Sequence, residues 1–126
     1  MSGNRVTIVG DQLVIEPVGF DRLWTFTRRI QTPLSHVTGL YFDPTVAGQP
    51  KGLRFPGLGL PHKVAGTFYR EGTRQFWNTV GRRGALVIEL SADERFNRLV
   101  LSVDDPLEDV EAIDGARQHS QHSQGV

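Results

Sequence analysis

Val64-Ala-Gly-Thr-Phe-Tyr-Arg-Glu-Gly-Thr-Arg-Gln-Phe-Trp-Asn-Thr-Val80 reads as an aromatic-rich antiparallel hairpin, and the fold is built outward from it. Next comes Ala85-Leu-Val-Ile-Glu-Leu90, an apolar run whose lack of alternation predicts a strand covered on both faces and therefore central in its sheet. Arg98-Leu-Val-Leu-Ser-Val103 alternates, which places Leu99, Leu101 and Val103 on one face. Asp104-Asp105-Pro106 then opens a helix, with a capping carboxylate, a proline in the first turn, and Glu108, Asp109 and Glu111 near the positive end of the dipole. Leu107, Val110 and Ile113 are its expected buried stripe. Gly115 is expected to end it, giving a helix over about 105–114 and a disordered polar tail over 116–126.

Towards the N-terminus, Val6 and Ile8, then Leu13 and Ile15, alternate with polar residues around Gly10-Asp11, which predicts two paired strands over residues 5–17. Phe20, Leu23, Trp24 and Phe26 fit either a short helical turn or a bulged strand. Arg29 to Thr32 and Val37 to Phe42 are two further extended segments, and Pro33 makes their junction a bend. Between Asp43 and Lys63 glycine and proline are dense, so this is the longest irregular segment, with an edge strand around Leu53 to Phe55 as one alternative.

The chain of 126 residues is the size of one domain, taken as residues 1–115. Fourteen basic and fourteen acidic residues cancel, so no global field draws it to nucleic acid or an acidic membrane. Without cysteine there are no disulfides, thiolate metal sites or thiol nucleophiles, and a reducing cytoplasm is the expected setting. No apolar run is long enough to cross a bilayer as a helix. No cofactor is expected, and no catalytic constellation stands out. Ser35 beside His36 makes no nucleophile–base pair by adjacency, and Asp104 and Asp105 are explained by capping. His119 and His122 lie in the Gln/Ser tail and are expected to bind metal at most adventitiously.

The strand order, together with Leu53-Arg-Phe-Pro-Gly57, Val64-Ala-Gly-Thr-Phe-Tyr69, Phe76-Trp77, Ala85-Leu-Val-Ile-Glu-Leu90 and Arg98-Leu-Val-Leu-Ser-Val-Asp-Asp-Pro106, resembles the bacterial pleckstrin homology (PH-like) domains over about residues 5–114. The resemblance implies a mainly β split barrel of about seven antiparallel strands in two orthogonal sheets, with the C-terminal helix plugging one open end. Phosphoinositide-binding members carry cations in the loop between the first two strands. Here that loop is Val9-Gly-Asp-Gln12, without a cation and with one carboxylate, which argues against a lipid headgroup.

Two surfaces remain as candidates. Phe68 and Phe76 read as core-facing and Tyr69 and Trp77 as outward, so Tyr69 and Trp77 are the expected partner-binding platform. Lys51, Arg54 and Lys63 in the long loop, with Arg82 and Arg83 in the turn before residue 85, form a candidate anion site if they converge. The expected function is a non-enzymatic binding or assembly module for an unidentified protein or for self-association, including strand addition at an open edge. The alternative is a sensor of a small anion or membrane surface using those cations.

Overall fold

The computed structural model describes residues 4–17, 29–44, 53–60, 63–70, 72–80 and 84–124. The fold is mainly β, with two sheets and one C-terminal helix. The first sheet has the order β1-β2-β3, formed by Asn4–Val9, Gln12–Pro17 and Ile30–Pro33. A 3-10 turn, Leu34–His36, leads into β4, Val37–Asp43. β4 opens the second sheet, completed by β5 (Leu53–Leu60), β6 (Lys63–Arg70), β7 (Thr73–Val80), β8 (Ala85–Leu90) and β9 (Arg98–Leu101). Its order is β4-β8-β9-β7-β6-β5. The helix, α1, spans Pro106–Gln124.

Local chemistry accounts for several of these elements. The β1–β2 hairpin turns at Gly10, whose φ of 63° is the left-handed region that glycine enters without a Cβ penalty. β8 lies inside its sheet and is buried along nearly its whole length, as its unbroken apolar run predicts. Asp105 caps α1 by accepting the Glu108 N–H at 3.1 Å on its Oδ1, and Pro106 takes the first helical position.

Four expectations are corrected. The strands number nine among the described residues instead of about seven, in one sheet of three and one of six. One pair, β7 with β9, is parallel. β9 runs antiparallel to β8 and inserts between β8 and β7, where it runs in the same direction as β7. Residues 53–60 form a full edge strand on β6, which bears out the alternative of an edge strand around Leu53 to Phe55 and extends it to Leu60 in place of irregular chain. That strand tolerates Pro56 because it is a sheet edge and its register shifts between Arg54 and Gly57. The fourth correction concerns α1, which continues through Gly115 to Gln124. The φ of Gly115 is not positive, a mid-helix glycine costs only about 1 kcal/mol, and an Arg117–Asp114 ion pair at 3.1 Å spans it. The segment around Phe20 to Phe26 and residues 45–52 lie outside the described residues.

The core lies between the sheets. Leu13, Ile15 and Ile30 from the first sheet meet Phe76, Leu86, Ile88, Leu99 and Leu101 from the second, with Leu34, Phe96 and Ile113 of α1. Val110 and Ala116 of α1 pack against this cluster, but Leu107 is 65 % exposed. Two steps of three residues at about 100° each drift Leu107 about 120° from Ile113 around the helix, off the buried stripe. The opposite face of the second sheet carries its own buried cluster, Phe68, Trp77, Ala85, Val87 and Val100.

Candidate functional site

Hairpin register decides where the aromatics go. β6 and β7 pair Arg70 with Thr73 across the turn at 71–72, which sets Gly66 opposite Trp77, Thr67 opposite Phe76 and Phe68 opposite Gln75. Directly opposed residues share a face, so Phe68 and Trp77 lie on one side and Phe76 and Tyr69 on the other. The expected grouping of Phe68 with Phe76 is therefore wrong. Trp77 is only 2 % exposed, packs edge-on against Phe68 with ring centroids 6.1 Å apart, and cannot be a surface platform. Tyr69 is 37 % exposed, and the Arg74 guanidinium lies 5.4 Å from its ring centroid. A two-residue turn was the signal that would have assigned these faces from the sequence.

The cations of the expected anion site fall differently. Lys51, Arg82 and Arg83 lie outside the described residues, as do the side chains of Arg54 and Lys63. Backbone register sets Arg54 opposite Phe68 and Lys63 opposite Leu60 and Val80. Arg54 and the Lys63 turn thus occupy opposite ends of β5, six residues or about 20 Å of strand apart.

A cleft of about 360 Å³ opens at the end of the second sheet where the 71–72 turn meets the β8–β9 connection. Register explains its floor. Glu89 on β8, Arg98 on β9 and Gln75 on β7 are directly paired across three adjacent strands, a polar row beside the buried row of Val87, Val100 and Trp77. Asn97, Thr73 and Gly72 add to its walls. A second depression of about 290 Å³ shares Gly72, Ala92 and Asn97 with the first and is also lined by Tyr69, Arg74 and Arg95 and by the carboxylates Asp93 and Glu94. The two adjoin at those shared residues around the end of the sheet, the first floored on the Trp77 face and the second carrying Tyr69 and Arg74 from the opposite face.

Hydrogen bonds hold this site rigid. The Asn97 N–H donates to the Arg74 carbonyl at 2.7 Å, and Asn97 Oδ1 accepts the Arg74 N–H at 3.2 Å. Asn97 Nδ2 reaches the Ser91 carbonyl at 3.2 Å, so one amide side chain ties the 91–97 segment to β7. Trp77 Nε1 donates to Gln75 Oε1 at 3.0 Å and fixes the Gln75 amide at the cleft floor. Trp77 thereby acts on the site from the adjacent row of the same face, a role its sequence position did not disclose.

Charge is mixed. Arg98 Nε donates to Glu89 Oε1 at 2.7 Å, and the Tyr41 hydroxyl reaches the same oxygen at 3.5 Å. Partial burial and Glu89 push the Tyr41 hydroxyl above its ordinary pKa. His36 Nδ1 lies 2.5 Å from Glu94 Oε2, and this hydrogen bond, helped by the charges of Glu94 and Asp93, raises the histidine above its ordinary 6.5. Asp93 is lowered by the Ser91 hydroxyl, which donates to it at 2.7 Å. Among the described residues, no three His, Asp or Glu side chains converge to hold a metal, and no helix is long and apolar enough to cross a membrane. The chain matches no protein-family model, no curated protein and no solved structure.

Proposed function

We propose that this chain is a non-enzymatic binding module that docks a segment of another protein in the cleft between the 71–72 turn and residues 91–97. The observation that carries this reading is the pair of adjoining polar depressions at one end of the second sheet, the second lined by the exposed Tyr69 and both framed by the Asn97 hydrogen bonds. A site held this rigidly loses little conformational freedom when occupied, which favours recognition. The aromatic rim supplies contact area at small entropic cost. The two-sheet, one-helix architecture supports the likeness to bacterial PH-like domains, from which the parallel β7–β9 pair departs. Strand addition at the open edges of β4 or β5 is a secondary route to the same kind of partner, including a second copy.

The test is capture of cross-linked partners from host lysate by the intact chain, by Tyr69→Ser and by Val9→Ser. Val9 is 60 % exposed next to the β1–β2 turn and serves as the control. A partner retained by the wild type and Val9→Ser but lost from Tyr69→Ser supports the module. A partner retained equally by all three removes the cleft from consideration.

A further inference from the structure

The cleft floor is rich in hydrogen-bond donors, and that chemistry identifies what it takes. Among the interactions of the described residues, Arg98 uses only Nε, on Glu89, which leaves both Nη groups of the guanidinium without an acceptor. Gln75 is 5 % exposed and still lines the cleft. Its Oε1 is occupied by Trp77, and its Nε2 has a single contact, the Thr73 hydroxyl at 3.5 Å, the outer limit of a hydrogen bond. A buried amide with a spare N–H favours an incoming acceptor, because leaving that donor unmet is unfavourable.

We infer that the cleft binds a peptide carboxylate, with the Arg98 Nη groups gripping its two oxygens and the Gln75 Nε2 donating to one of them. The planar pair of Nη donors matches a carboxylate in geometry and charge. Glu89, held on the other edge of the guanidinium, sets the charge limit: it offsets the Arg98 charge and repels a phosphate dianion more strongly than a carboxylate monoanion. Rigid positioning comes from Trp77 for the amide and from Glu89 for the guanidinium. This inference rests on the binding-module reading and names its ligand class.

The experiment follows the side-chain NMR signals of Arg98 Nε–H and the Gln75 amide in the full chain during titration with four probes. They are N-acetyl-Ala-Ala with a free carboxylate, the same peptide as its C-terminal amide, N-acetyl-Ala-Glu-Ala amide, and inorganic phosphate at matched ionic strength. The expected result is saturable shifts with the free acid, at least about tenfold weaker binding of the dialanine amide, and phosphate no tighter than that amide. Binding by the Glu-containing amide assigns a side-chain carboxylate as an equal source, and its failure assigns a C-terminus. Arg98→Gln is expected to weaken the acid at least about tenfold, whereas Glu89→Gln, which removes the competing carboxylate, is expected to tighten it. Equal binding of the acid and its amide overturns the carboxylate assignment and leaves a peptide-binding module. The absence of shifts with every peptide overturns both.

Discussion

Asn4 and Asn78 join the two sheets through hydrogen bonds of their side-chain amides. Asn78 Nδ2 donates to Asn4 Oδ1 at 2.8 Å, and Asn4 Nδ2 donates to the carbonyls of Asn78 and Ser102 at 3.0 and 2.9 Å. Asn78 is completely buried in β7, and Asn4 begins β1, 74 residues away. The Asn78 carbonyl also accepts the Ser102 N–H at 3.0 Å, so side-chain amides and main chain cross-link the seam together. Replacing Asn4 by Ala is expected to lower stability by about 1–3 kcal/mol, because it removes three hydrogen bonds that join the two sheets. Urea unfolding measures it, and a loss below about 0.5 kcal/mol would show that water replaces the bond at little cost.

Gly84 makes a comparable demand on the backbone. A Cβ there would sit 2.6 Å from the Pro44 Cα and 2.7 Å from the Asp43 carbonyl oxygen, both main-chain atoms that cannot rotate aside, and would also strike the Phe42 ring. Gly84→Ala is expected to cost about 1–3 kcal/mol through displacement of β4 against β8. Gly115→Ala is the matched control: its Cβ meets nothing within 4 Å, and removing a helix glycine is expected to stabilise α1 by up to about 1 kcal/mol. Thermal unfolding of the two variants should move in opposite directions.

Stability should depend on pH through His36. Its folded-state pKa is raised, so the folded protein holds the proton more tightly than the unfolded chain does. The stabilisation is fully present below the ordinary value of 6.5 and is lost as the pH rises through the folded value. Wild type should therefore exceed Glu94→Gln in stability by more at pH 5.5 than at pH 8.5. The His36 ring proton should also titrate nearer to 6.5 in that variant. An unchanged titration would remove Glu94 as the cause.

Trp77 separates packing from positioning. Trp77→Ala is expected to cost about 3–5 kcal/mol, since it empties the centre of the outer cluster, and so it reports on folding more than on binding. Trp77→Phe keeps the ring and removes the Nε1 donor to Gln75, with an expected cost of about 1 kcal/mol. The Gln75 amide protons should then broaden or shift while backbone resonances of β9 stay in place. If the Gln75 signals remain unchanged, the indole does not position that side chain.

Much of the local structure is legible in the residues. Alternation around Gly10 predicts the first hairpin, the unbroken apolar run predicts an interior β8, and Asp105-Pro106 predicts the start of α1. The site is much less legible. Gln75, Glu89, Arg98 and Asn97 are ordinary strand and loop residues in order of sequence, and only adjacency of β7, β8 and β9 makes them one surface.

The sequence by itself determined the elements, because φ/ψ preference, side-chain period and capping act within a few residues of one another. It also held the parity of the β6–β7 hairpin, for a two-residue turn forces Phe68 and Trp77 onto one face. Tertiary structure alone decided the insertion of β9 between β8 and β7, the amide hydrogen bonds across the sheets, and the burial of Trp77. Strand alternation distinguishes two faces but not which is covered, and in this sheet both are; backbone hydrogen bonding between distant strands carries no side-chain signature of its partner.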